Sequence, residues 1–157
     1  MHGPEQITPT KLADYLEVLT RAVFQSGISW RVVDAKWPGT REALFHFDPK
    51  RIAKLTPPDI DKLAEDTRLI RNRRKIEATV ENAQSMLDLE KEHGGFGRYL
   101  KSFSDFDAAS ADLVKRFKFL GPTGAYYFLH VVGEPVPEHS DWMAASQPAQ
   151  PRRPRTR

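Results

Sequence analysis

The sequence predicts an all-α domain, and three observations carry that prediction. Apolar residues recur at helical intervals, as in Leu12, Tyr15, Leu16, Leu19, Ala22 and Val23. A capping residue followed by proline, the signal of a helix start, appears at Thr8-Pro9, Asp48-Pro49 and Thr56-Pro57. No Asn-Gly type of turn separates alternating runs, and the valines and isoleucines lie inside helical patterns, so nothing asks for a sheet.

Residues 1–8 read as a flexible lead-in. Thr8 is a candidate cap for a helix over 9–26, which Gly27 ends. Ser29 caps a short helix over 30–36, broken by Trp37-Pro38-Gly39. Short helices follow over 41–47, 50–55 and from Pro57 to about 65. The longest helix is expected over 68–92, with Leu69, Ile76, Val80, Ala83 and Leu87 inward and His93-Gly94-Gly95 as its stop. A short helix over 96–103, a connector over 104–110 and a helix over 111–119 lead to a turn at Gly121-Pro122-Thr123-Gly124. The helix after that turn ends at Gly133, and Pro135 and Pro137 then keep the chain extended up to His139-Ser140-Asp141-Trp142-Met143. The expected organisation is one helical domain over 9–146 and a disordered basic tail over 147–157.

Composition limits the function. At 157 residues, 39% hydrophobic and 29% charged, the chain is large enough for one real core. With no cysteine, it has no disulfide, no thiol catalysis and no cysteine-held zinc or iron–sulfur cluster. No apolar run approaches a membrane span and the start is not a signal peptide, so a cytoplasmic protein is expected. The net charge of +3 belongs to the tail: without the four arginines of the last seven residues, 20 basic residues face 21 acidic ones. Nucleic-acid binding would therefore rest on local patches rather than on a basic body.

The stretch Arg116-Phe117-Lys118-Phe119-Leu120-Gly121-Pro122-Thr123-Gly124-Ala125 is one such patch. Gly121 can take a positive φ, Gly124 allows close helix packing, and Pro122 suits a first helical position. The amides of Thr123, Gly124 and Ala125 are then free at a positive helix terminus, where a phosphate can sit, with Lys115, Arg116 and Lys118 just before it. The competing reading is an ordinary pair of helices whose glycines serve packing alone.

Three ordered segments resemble the DNA-3-methyladenine glycosylase I family of the helix–hairpin–helix glycosylase superfamily. They are Phe24-Gln25-Ser26-Gly27-Ile28-Ser29-Trp30, Ile70-Arg71-Asn72-Arg73-Arg74-Lys75-Ile76 with the helix behind it, and Phe117-Lys118-Phe119-Leu120-Gly121. The resemblance implies an all-α protein of two helical lobes with a cleft, which grips double-stranded DNA and turns out an alkylated base such as 3-methyladenine. Water then cleaves the N-glycosidic bond. No cofactor is implied, and a monomer is expected. It also implies a base pocket at Trp30, Gln25 and Ala22, an intercalating turn at Gly27 and Ile28, and a phosphate seat at Gly121, Thr123 and Gly124 with Lys118. Among Arg68, Arg71, Arg73, Arg74 and Lys75, two at most are expected to touch DNA. Arg71 and Lys75 are the candidates, because they lie one turn apart on the predicted helix.

The chain also departs from the family. The family's purine-recognising glutamate falls at Ala22, and Glu17, five residues back, turns away from it. Of the family's two zinc-binding cysteines and two histidines only His139 has a counterpart, with Met143 at the last cysteine, so no metal is expected. The segment that supplies further pocket aromatics has no counterpart, and Tyr15, Tyr126, Tyr127 and Trp142 are possible replacements. Asp141, eight residues past Gly133, stands near the spacing of the superfamily's catalytic aspartate; an N-cap for a helix at Trp142 is its other role. No lysine matches the superfamily's Schiff-base position, so a lyase step is not expected. These departures leave a second function open, a DNA-binding module without catalysis, and a more distant third, a helical interaction domain.

Overall fold

The structure, a computed structural model, describes residues 5–146, with side chains through Trp142. The described residues form nine α-helices and no strand. The tail over 147–157 lies outside the described residues. Residues 5–8 are tied down more than a flexible lead-in would be: the Ile7 backbone amide donates to the Val131 carbonyl at 2.7 Å and the Gln6 side-chain Nε2 to the His130 carbonyl at 2.9 Å.

The first helix, α1, spans Leu12–Gln25. It starts later than the Thr8-Pro9 signal because Asp14 accepts the amides of Thr10 and Lys11, at 2.8 and 3.3 Å. The second, α2, spans Trp30–Ala43 and runs through Pro38 and Gly39, where a break was expected. Packing outweighs proline here. Trp37 stacks on Phe47 at 5.5 Å and donates from Nε1 to Glu17 at 2.9 Å. Gly39 is needed, since a Cβ there would lie 2.5 Å from the Arg68 carbonyl.

The helix expected over 41–47 is not formed: Phe45, His46 and Phe47 all have positive φ (55°, 54° and 61°) and make a left-handed turn. Full burial of Phe47 against Trp37 holds the turn in that conformation. Helices α3 (Pro49–Ala53) and α4 (Pro57–Leu63) start where their cap-proline signals place them; Asp48 accepts from Lys50 and Asp59 from Thr56.

The longest helix, α5, spans Arg73–His93, not 68–92. Asp66 holds the Arg68 amide and guanidinium in a turn, and Asn72 caps the Lys75 amide at 3.1 Å, which delays the start. Gly94 ends it at φ +72°. Helix α6 covers Phe96–Lys101. The predicted connector after it is largely helical, because Asp105 accepts from Ala108 and opens α7 at Phe106–Arg116. Helices α8 (Pro122–Val131) and α9 (His139–Ser146) complete the chain.

Helices α1 and α5 sit centrally, with α2–α4 packed on one side and α6–α8 on the other. Leu16, Leu19, Phe24, Ile76, Met86, Phe96 and Phe128 are buried between them. Each such side chain contributes about 1.5–3 kcal/mol.

Candidate active site

A cleft of about 380 Å³ opens between the turn after α1 and the α7–α8 hairpin, lined by Ala22, Gln25, Ser26, Gly27, Trp30, Phe119, Gly121, Pro122, Thr123, Gly124 and Tyr127. The last turn of α1 supplies Ala22 and Gln25, both buried. The chain then turns at Gly27, whose φ of +81° favours glycine, and lifts Ile28 to the surface. Ser29 caps α2 by accepting from the Arg31 amide at 3.1 Å, which puts Trp30 in the first turn. Trp30 is 48% exposed, and its ring meets the Tyr127 ring edge-on at 5.5 Å.

The opposite wall is the hairpin. Asn82 of α5 donates to the Lys118 carbonyl at 3.2 Å and accepts from the Lys118 amide at 2.8 Å. Phe119 carries the left-handed residue of this turn, at φ +61°, and shows an exposed ring at the cleft mouth with the Arg74 guanidinium 5.8 Å from its centre. Gly121, expected to take a positive φ, has φ −100° instead. The glycine that matters is Gly124: a Cβ there would lie 2.9 Å from Leu120 Cδ1 and 3.6 Å from Ala22 Cβ, so its absence lets α8 close on α1. The Ala125 amide is not free, since it donates to Gly121 at 2.9 Å. The Thr123 and Gly124 amides make no hydrogen bond among the described residues and face the cleft end of α8.

Several expected site residues stand elsewhere. Lys75 is 5% exposed, and its ammonium donates to the carbonyls of Phe24 at 3.2 Å and Ser26 at 2.5 Å. It holds the turn after α1 and is no phosphate contact; burial lowers its pKa below the usual lysine value. Arg71 is exposed in the loop before α5, so it does not share a helical face with Lys75. Arg68 pairs with Asp66 and Glu42, Arg73 with Asp61 and Glu77, and Arg116 with Asp112. Arg71 and Arg74 are the arginines of the cluster left without an ion pair among the described residues. Lys118 is exposed beside Phe119 and Arg74, outside the cleft lining.

Asp141 does not line the cleft. It is exposed in the first turn of α9 rather than capping it, and α9 packs through Trp142 on Tyr126 at 4.6 Å. His139 packs on the same two rings. No group of His, Cys, Asp and Glu among the described residues is arranged to hold a metal ion. Of the possible aromatic replacements, Tyr127 reaches the cleft, whereas Tyr15 packs between Phe96 and Phe128 and Tyr126 donates to the Pro137 carbonyl.

A profile of the methyladenine glycosylase family matches residues 8–111. This chain belongs to that family. The DNA-3-methyladenine glycosylase of Haemophilus influenzae is 37% identical over 130 residues, covering 69% of this chain and 70% of that protein. DNA-3-methyladenine glycosylase 1 of Escherichia coli is 32% identical over the same coverage. The fold agrees with 3-methyladenine DNA glycosylase I of Staphylococcus aureus at a TM-score of 0.74, with 27% identity and 82% and 80% of the two chains covered. A variant of 3-methyladenine DNA glycosylase I in complex with 3-methyladenine gives a TM-score of 0.73, with 27% identity and 82% and 81% covered.

Within this glycosylase fold, the roles that sequence patterns missed belong to Asn82, Phe119 and Lys75. Lys75 was expected to touch DNA, and neither Asn82 nor Phe119 was given a role of its own. Only the burial of the first two and the exposure of the third separate them from their neighbours. No helix among the described residues is long and apolar enough to cross a membrane.

Proposed function

We infer that this chain is a monofunctional DNA glycosylase of base excision repair, which hydrolyses the N-glycosidic bond of alkylated purines such as 3-methyladenine in double-stranded DNA. The observation that carries this reading is the exposed Trp30 indole in a base-sized cleft, flanked by an apolar turn and a helix terminus with free amides, in a member of this family. Membership of an enzyme family does not favour a binding module without catalysis.

A base in the stack is out of reach, and extruding it costs a few kcal/mol. Ile28, lifted by Gly27, is the side chain offered to the vacated stack. The Thr123 and Gly124 amides, at the positive end of α8, take a backbone phosphate, and Arg71 and Arg74 add charge nearby. An extruded cationic purine stacks on Trp30, gaining dispersion and cation–π attraction.

Water then attacks C1′ as the C1′–N bond breaks. The bonding pair leaves with the base, and the proton of the attacking water passes to solvent. No carboxylate and no lysine lines the cleft, so neither acid catalysis of base departure nor a Schiff base is invoked. The positive charge of an N-alkylated purine supplies the leaving ability, and the protein's part is recognition and alignment. The enzyme acts as a cytoplasmic monomer in this reading. Incubation with methylated duplex DNA should release free alkylpurine, followed by chromatography. Release no faster than spontaneous loss, at high enzyme concentration, sinks the reading.

A further inference from the structure

The walls of the cleft carry no charge-bearing side chain. Ala22 lies against Gly124, where a longer side chain has little room. Three carboxylates, Glu5, Glu17 and Asp34, line an adjoining depression rather than the cleft, and the latter two are engaged. Glu17 accepts from Trp37 at 2.9 Å and from Arg41 at 2.6 Å, and Asp34 pairs with Arg21. A purine in such a cleft would lose its hydrogen bonds to water at every ring nitrogen and exocyclic group, a serious cost unless the walls replace them.

Of the neutral polar side chains in the lining, which include the Ser26 and Thr123 hydroxyls, Gln25 and Tyr127 stand together. Gln25 is 7% exposed, its carboxamide is within hydrogen-bond reach of the Tyr127 hydroxyl, and both side chains line the cleft with Trp30. We propose that Tyr127, supported by Gln25, is the specificity-determining residue of this cleft and reads the edge of an extruded N-alkylpurine by neutral hydrogen bonds. The assignment rests on the glycosylase reading for the nature of its ligand. Burial keeps the phenol protonated, so the hydroxyl both donates and accepts. A carboxylate accepts only, and so demands a donor on the base. A hydroxyl turns to meet either an amino group or a carbonyl. The cleft therefore selects by shape and stacking more than by the base's exchangeable protons, and it admits adenine-type and guanine-type alkylpurines alike.

The test is calorimetric titration of the full chain with free 3-methyladenine and free 7-methylguanine. The two affinities are expected to lie within about tenfold of each other. Tyr127→Phe, which keeps the ring against Trp30, is expected to weaken both by about tenfold. It should leave the affinity for a duplex with an abasic-site analogue unchanged, because no base occupies the cleft there. Gln25→Met gives a second measurement and should weaken the same two ligands without additivity to Tyr127→Phe. Unchanged base affinity in Tyr127→Phe overturns the assignment. So does a wild type that binds neither base, or a parallel loss of abasic-duplex binding. A protein that binds free base with this dependence on Tyr127 but releases none from methylated DNA refutes the glycosylase reading and leaves the recognition assignment standing.

Discussion

The two turns that form the cleft are held by the same helix through different chemistry. Lys75 and Asn82 lie seven residues, two turns, apart on α5 and so share a face. Lys75 fixes the turn after α1 with a buried ammonium, and Asn82 fixes the hairpin turn with a neutral carboxamide paired to both backbone groups of Lys118. The difference follows from what each turn leaves unsatisfied. The end of α1 presents carbonyls alone, and a cation suits the negative end of a helix. The hairpin presents one amide and one carbonyl, the pattern an asparagine side chain complements. One helix thereby sets the distance between the turn after α1, proposed to intercalate, and the hairpin turn, proposed to seat a phosphate.

Lys75→Met tests the charged clamp and should have the largest effect. Losing two charge-assisted hydrogen bonds should cost about 2–3 kcal/mol in denaturant unfolding. A loss within measurement error would show that the turn holds itself.

Asn82→Ala should cost somewhat less, about 1–2 kcal/mol, since its bonds are neutral. Its functional effect should fall on duplex affinity, through the loosened hairpin. Unchanged affinity for an abasic duplex would separate Asn82 from the phosphate seat.

The charged clamp alone should respond to alkali. Burial lowers the Lys75 pKa, so between that value and the unfolded 10.5 the unfolded chain binds the extra proton. Stability from this group therefore rises with pH across that window. The neutral amine keeps donors for both carbonyls. The wild type should gain on Lys75→Met in unfolding experiments as the pH rises towards 10.5. A constant difference would mean an unperturbed lysine.

Ile28→Ala is expected to change stability by no more than about 0.5 kcal/mol, the side chain being partly exposed. Base release from duplex DNA should slow while free-base affinity is unchanged. Equal rates on duplex would remove Ile28 from extrusion.

The finest distinction lies among the arginines. Arg71→Ala and Arg74→Ala should each lower the salt dependence of duplex binding by about one unit of log–log slope, and the ion-paired Arg73→Ala should not. Equal slopes for all three would mean that the ion pairs of Arg73 open on DNA.

Much of this molecule follows from local signals. Caps such as Asp48 and Thr56, the stop at Gly94 and the apolar stripe of α1 act over a few residues, so helix existence and order were legible, as were the positions of Trp30, Gln25 and Gly124 within their motifs. Long-range packing overrode the same signals elsewhere. Pro38 stayed helical because Trp37 is held by Phe47 and Glu17, and the turn at Phe45–Phe47 reversed hand to bury Phe47. Burial of side chains that look solvated in sequence is also a tertiary matter: it made Lys75 a clamp rather than a phosphate contact and left Asp141 on the surface, away from the cleft. The chain by itself determines where helices begin and what chemistry each turn carries, because those depend on neighbours in sequence. Which polar groups meet a ligand and which hold the backbone depends on what lies across the fold, 36 residues away for Asn82 and Lys118, and that only the tertiary structure decides.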